Sequence, residues 1–158
     1  MNEVKPEPQD AGTAMMPEAT RPGAARPVFV YGTLRRGGSN DINRLRPAPR
    51  FLGVAEVRGA LFDLGDYPGL LLASPGERDR GAVHGEVYLV APGLEAVLDR
   101  IEGITGAAGD EYLRREVDVC PAGGSPCTAL VYEISPLHLS GRQPIPEGDW
   151  MVHLARRS

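Results

Sequence analysis

Residues 28–34 read Val-Phe-Val-Tyr-Gly-Thr-Leu, directly behind Pro27. β-Branched and aromatic side chains in an unbroken run predict a buried strand. Gly32 ends it, and Arg35-Arg36-Gly37-Gly38-Ser39-Asn40 follows, where two adjacent glycines forbid a regular element. The buried strand therefore delivers its last residues into a loop. Downstream, Phe51 to Leu64 is a second extended run, in which Gly53 and Gly59 predict bulges or sharp bends where a sheet curls. Leu70 to Ala73, after the turn Tyr67-Pro68-Gly69, and Ala82 to Val90 read as further strands. Pro92-Gly93 opens a short helix with Leu94, Val97, Leu98 and Ile101 on one stripe, and Gly103 ends it. Glu111 to Val119 and Thr128 to Ile134 form a hairpin, and Trp150 to Leu154 is expected to be a final edge strand. Six or seven strands, one clear helix and no βαβα alternation predict a curled mixed sheet or small barrel and exclude a doubly wound fold.

The flanking sequence bounds the function. Residues 1–26 carry Pro6, Pro8, Pro17 and Pro22, no aromatic residue and no periodicity, and are expected to form a disordered tail before a single domain over 27–158. Met15-Met16-Pro17 is no apolar signal core, and Glu3, Glu7, Asp10 and Glu18 argue against a transit peptide, so a cytoplasmic location is expected. No apolar run approaches the ~18 residues of a membrane helix. A net charge of −4 argues against sequence-independent nucleic-acid binding, which depends on basic groups neutralising phosphate. Cys120 and Cys127 flank a hairpin tip where a cross-strand disulfide is conceivable, although a reducing compartment disfavours it. Neither cysteine shows ligand spacing with His84, His138 or His153, and no metal site is readable.

Two features carry chemistry. A glycine leaving a buried strand, as in Tyr31-Gly32-Thr33-Leu34, exposes backbone N–H groups that can cradle an anion or oxyanion. Glu102 lies about 80° from Leu94 on the helix, on the flank of the apolar stripe, whereas Asp99 is expected near 140°, facing water. Flank burial and the negative end of the helix both disfavour the carboxylate, so the Glu102 pKa is expected to rise toward the range useful for proton transfer near neutrality. Ser39 and Thr33 lack the setting of a catalytic nucleophile. Arg35, Arg36, Arg44, Arg46 and Arg50, with one acid between residues 35 and 50, form either a solvated loop or a lure for an acidic substrate.

Taken in order, Tyr31-Gly32-Thr33-Leu34-Arg35, Tyr67-Pro68-Gly69, Val83-His84-Gly85-Glu86-Val87-Tyr88, Leu98-Asp99-x-x-Glu102-Gly103 and Tyr112-x-Arg114 resemble the γ-glutamylcyclotransferase-like family. The Tyr-Gly-Thr-Leu form is most similar to its γ-glutamylamine cyclotransferase branch and small bacterial relatives. The resemblance spans residues 28 to 135, with Gly148-Asp149-Trp150 resembling a C-terminal segment of these proteins. It implies an α+β fold, a compact mixed β-barrel with a few short flanking helices. It also implies an enzyme of the amidine-lyase or acyltransferase type that releases 5-oxoproline and a free amine from a γ-glutamyl amine or peptide. Glu102 would match the catalytic acid/base, residues 31–34 the substrate-binding loop, and Tyr112 an aromatic lining the pocket. No cofactor and no metal are implied, and the expected partner is a small γ-glutamyl substrate, with neither nucleic acid nor membrane, for a monomer or homodimer. The alternatives are removal of a γ-glutamyl protecting group from a biosynthetic intermediate and a non-catalytic module binding a small carboxylate or a partner. Against the family pattern, the tail, the Arg cluster and a glycine-rich gap between Glu102 and Tyr112, expected to form a flexible lip, stand out.

Overall fold

The computed structural model describes residues 24–74, 76 and 81–157. The tail expected over 1–26 lies outside these residues except at its end, where Arg26 already pairs with Val90. The opening run forms β1 (Arg26–Val30), which is followed by β2 (Arg50–Asp63), β3 (Pro68–Leu72) and β4 (Ala82–Val90). Helix α1 (Pro92–Ile101) precedes β5 (Tyr112–Val119) and β6 (Cys127–Ile134), and a two-residue β7 (Gln143–Pro144) leads to helix α2 (Trp150–Arg157). The sheet runs β3-β2-β4-β1-β6-β5, with β7 paired to β2. Every pairing is antiparallel except that of β1 with β6, where Val28 faces Leu130. The fold is α+β, a curled half-barrel of strands flanked by two helices.

The curl has local causes. Gly53 sits at the bulge where the β2–β4 register shifts, at φ +149°, and a Cβ there would stand 2.7 Å from the Ala122 carbonyl oxygen. Only glycine lets the hairpin tip pack on the bend. The curl carries the edge strand β3 round to β6, where the Leu72 N–H donates to Glu133 Oε2 at 2.9 Å and blunts the edge. Two buried clusters fill the faces. One joins Val28, Val30 and Tyr88 to Leu94 and Leu98 of α1, and the other joins Phe29, Val87 and Val131 to Trp150 of α2.

The C-terminal segment corrects the sequence reading. Trp150 to Leu154 is not an edge strand but the start of α2, because Asp149 caps a helix there. Its Oδ1 accepts from the N–H groups of Met151 (3.0 Å) and Val152 (3.2 Å). Trp150, His153 and Arg157 then share one helical face, the His153 ring lying 5.7 Å and the Arg157 guanidinium 5.3 Å from the indole. That face docks on the end of β2, where His153 Nε2 and Arg157 Nη1 reach Asp63 Oδ2 at 2.7 and 3.0 Å. Cys120 and Cys127 are free thiols. Among the described residues, no helix is long and apolar enough to cross a membrane.

Candidate active site

β1 ends at Val30, and residues 31–34 turn out of the sheet beside the N-terminus of β3. A Cβ on Gly32 would lie 2.7 Å from both Cγ and Cδ of Pro68, so glycine is required for the two segments to touch. Within the loop the carbonyls are occupied: Arg35 N–H donates to Gly32 O (3.0 Å), Asn40 N–H to Thr33 O (2.9 Å) and Ile42 N–H to Leu34 O (2.9 Å). The N–H groups of Gly32, Thr33 and Leu34 donate to no acceptor among the described residues. Three amides are thus left for a ligand, in a loop whose carbonyls are already paired.

The loop is braced from behind. The buried carboxylate of Glu86 on β4 accepts from the Arg36 N–H (2.9 Å), Arg35 Nε (3.0 Å) and the Tyr88 hydroxyl (2.9 Å). Arg35 Nη1 continues to Asp149 at 2.9 Å, linking the loop to the cap of α2. Arg36 lies 5.0 Å over the Phe51 ring, and Arg44 donates to the carbonyls of Gly38 and Ser39. Those arginines fasten the loop, and none of the five in the cluster lines the cavity described below.

Glu102 caps the C-terminus of α1, its N–H bonded to Leu98 O at 2.9 Å. Leu94 and Leu98 are buried as the stripe predicts, but Ile101 is 38% exposed and stands at the cavity wall instead of in the core. Asp99 does not face water freely, as the helical wheel suggests. Its Oδ1 accepts from the Tyr132 hydroxyl (2.6 Å), and both of its oxygens accept from Arg114 Nη1 (2.7 Å). Arg114 also bonds Glu95. A wheel sees only the helix, whereas β5 and β6 pass along its side and clasp the carboxylates there. This clasp sets the direction of the helix end, and with it that of Glu102.

Loop and helix end meet at one cavity of about 260 Å³. Tyr31, Gly32, Thr33, Leu34, Glu102 and Tyr112, the six residues singled out from sequence, all line it. They do so in different ways. The Tyr31 hydroxyl is committed to the fold, donating to Tyr132 O (2.6 Å) and accepting from Leu70 N–H (3.2 Å). Leu34 turns its side chain into the core, and the Thr33 hydroxyl accepts from Asn40 Nδ2 (3.2 Å). Tyr112 is buried and donates to Pro68 O at 2.6 Å. The Glu102 carboxyl has no hydrogen bond or ion pair among the described residues. Burial pushes its pKa up to about 7, and the charge of Glu111 adds to the effect.

Sequence reasoning missed Asp66, Tyr67, Glu111 and Tyr132 on the same wall. The Tyr67 hydroxyl donates to both carboxylate oxygens of Glu111 at 3.0 Å, joining the approach to β3 with the start of β5. Their signal was adjacency, Tyr67 standing before Pro68 and Glu111 before Tyr112. The glycine-rich gap before Glu111 is gathered by Asp110, whose Oδ2 accepts from the N–H groups of Thr105 (2.7 Å) and Gly106 (2.9 Å).

A family model described as γ-glutamyl cyclotransferase, AIG2-like, matches residues 28–152. The chain belongs to that family. It is 39% identical over 125 residues to a Vibrio cholerae protein provisionally named γ-glutamylcyclotransferase, covering 78% of this chain and 93% of that one. A γ-L-glutamyl-butirosin B γ-glutamyl cyclotransferase of Niallia circulans is 35% identical over 101 residues, covering 62% of this chain and 60% of that one. The crystal structure of a mouse AIG2-like protein superposes with a TM-score of 0.58 at 26% identity, over 73% of this chain and 82% of that one. As a member of the γ-glutamyl cyclotransferase family, the protein is an enzyme of the cyclotransferase type, and the cavity between the 31–34 loop and Glu102 is its candidate active site.

Proposed function

We propose that the protein releases 5-oxoproline and a free amine from a γ-glutamyl amine or peptide, with Glu102 as the general acid and base. The observation that carries this is a carboxyl without a partner among the described residues, its pKa pushed up to about 7, on the wall of the same cavity as three residues whose backbone N–H groups are unbonded among the described residues. A γ-glutamyl compound holds its own nucleophile. The Glu102 carboxylate takes a proton from the α-ammonium, and the freed amine attacks the side-chain carbonyl carbon to form the new C–N bond. The tetrahedral oxyanion collapses as Glu102 returns a proton to the leaving nitrogen and the original C–N bond breaks. Over the whole reaction the α-nitrogen gives up two protons and the departing amine gains two, so one carboxyl that alternates between its forms closes the balance. The ring closure is intramolecular, and well-oriented reactants reach effective molarities of about 10⁵–10⁸ M, so positioning supplies most of the acceleration.

The N–H groups of Gly32, Thr33 and Leu34 hold a negative oxygen of the substrate, either its α-carboxylate or the developing oxyanion. Tyr112 and Tyr31 contribute ring surface, since both hydroxyls are engaged with backbone. The test is 5-oxoproline release from γ-glutamyl substrates by wild type and Glu102→Gln. Loss of the base is expected to lower the rate by about 10²–10⁴-fold. A folded Glu102→Gln that keeps most of the wild-type rate removes Glu102 from the mechanism.

The similarity to a cyclotransferase named for γ-L-glutamyl-butirosin B favours one further reading, in which the γ-glutamyl group is a tag and the freed amine is the useful product. Side-by-side turnover of γ-glutamyl amines, γ-glutamyl dipeptides and γ-glutamyl-acylated metabolites separates the two readings by which class gives the highest kcat/KM.

A further inference from the structure

The charges on the cavity wall are one-sided. Asp66, Glu102 and Glu111 line it, and among the described residues no lysine, arginine or histidine does. Neither Asp66 nor Glu111 forms an ion pair among the described residues. The charge of the exposed Arg142 is felt by the Tyr67 hydroxyl, although Arg142 is not part of the wall. Glu111 is nevertheless a built feature. Both of its oxygens accept from Tyr67, whose ring centroid lies 6.2 Å from that of Tyr112, so the carboxylate is fixed beside two aromatic faces. Independently of these acids, the Glu102 carboxyl stands largely enclosed and without a partner among the described residues, which marks this wall as a ligand surface.

Resting on the cyclotransferase reading, the charge ledger of the substrate can be drawn. The glutamyl part brings one carboxylate and one ammonium, with the loop amides available to the first and Glu102 to the second. Glu111 and Asp66 are left without an ion-pair partner among the described residues, and aromatic faces beside carboxylates favour a cation. We propose that the site selects γ-glutamyl amines whose departing half carries a second positive charge, with Glu111, held by Tyr67, as the specificity-determining residue. A departing half that carries a carboxylate, as in a γ-glutamyl amino acid, meets repulsion at the same place.

The experiment compares kcat/KM for three substrates of matched length, the γ-glutamyl derivatives of 1,4-diaminobutane, pentylamine and 4-aminobutyrate, at one pH, in wild type, Glu111→Gln and Glu111→Asp. In wild type the diamine derivative is expected to exceed the neutral one by about tenfold and the carboxylate derivative to fall below it, with the spread shrinking as salt rises. Glu111→Gln brings the three values together, and Glu111→Asp keeps part of the spread. Any effect of Glu111 on the ionisation of Glu102 cancels in the ratio between substrates. Turnover without preference, or a ratio unchanged in Glu111→Gln, overturns the proposal while leaving the cyclotransferase reading intact. Equal loss on all three in Glu111→Gln also overturns it, by placing Glu111 at the glutamyl ammonium. Absence of turnover on all three overturns this proposal, and absence on γ-glutamyl dipeptides and γ-glutamyl-acylated metabolites as well overturns the cyclotransferase reading. Where Glu111→Gln does not fold, the wild-type ratio and its salt dependence decide.

Discussion

The Tyr112 hydroxyl donates to the Pro68 carbonyl oxygen at 2.6 Å, across 44 residues of sequence, and the ring of the same Pro68 rests against Gly32. β5, the start of β3 and the loop after β1 are thereby held at one point on the cavity wall. The expected consequence of Tyr112→Phe is a loss of roughly 1–3 kcal/mol, because a buried carbonyl is left without its donor while the ring remains. The same change loosens the wall against which substrate rests. Urea denaturation reads the first effect, and a rise in KM larger than the fall in kcat reads the second.

Gly32→Ala tests the contact from the other side. A methyl placed 2.7 Å from Pro68 must push β3 outward or turn the loop. Overpacking of this kind costs about 1–3 kcal/mol. The three free amides move with the loop, so turnover is expected to fall even in the fraction that stays folded. An activity loss no greater than the unfolded fraction would show that the cradle survives.

Ionisation of Glu102 links stability to the proposed chemistry. Its carboxyl stands at about 7 in the fold against a reference value of 4.5, so the native state holds a proton that the unfolded chain gives up. Stability therefore declines as pH rises from 4.5 through 7, and the penalty is complete above that. Glu102→Gln removes it. The variant is expected to be more stable than wild type by about 3 kcal/mol at pH 8 and no more stable near pH 4. In wild type, kcat/KM should rise through pH about 7 as the base is freed. Melting temperatures of both proteins across this range, beside the pH–rate profile, check both statements.

Asp63 behaves in the opposite sense. Burial opposes its charge, yet hydrogen bonds from His153, the Gly65 N–H and Arg157 overcome that and hold its pKa down to about 2. The stabilisation is present above the reference value of 3.8 and is lost as pH falls toward 2. Asp63→Asn is expected to cost roughly 1–3 kcal/mol at neutral pH by releasing α2. It should also flatten the decline of melting temperature between pH 4 and 2. An unchanged acid limb would mean that other carboxylates hold that helix in place.

How legible the molecule was depends on where the signal lay. Val28 to Tyr31 and Leu94/Leu98 announced themselves because burial there follows from local periodicity. Trp150 to Leu154 misled because its apolar side chains suit either period, and the deciding group, Asp149, is a single polar residue just before it. Asp99 was misplaced because its partners, Tyr132 and Arg114, come from strands that a helical wheel does not contain. In the site, Glu102 and residues 31–34 were legible from their local geometry, and Tyr112 from the family resemblance. Tyr67 and Glu111 were not, since neither shows a function until the sheet curls and their side chains meet.

The one parallel pairing in the sheet, β1 with β6, has a consequence for biosynthesis. The strand that leads into the amide cradle leaves the ribosome about a hundred residues before its neighbour Leu130. Such distant pairings form slowly, since a long stretch of chain must be closed before any contact rewards it. A nascent polypeptide halted after Glu102 but before β6 therefore holds Glu102 and the cradle without the frame that aligns them, and the candidate site assembles only once β6 has been made.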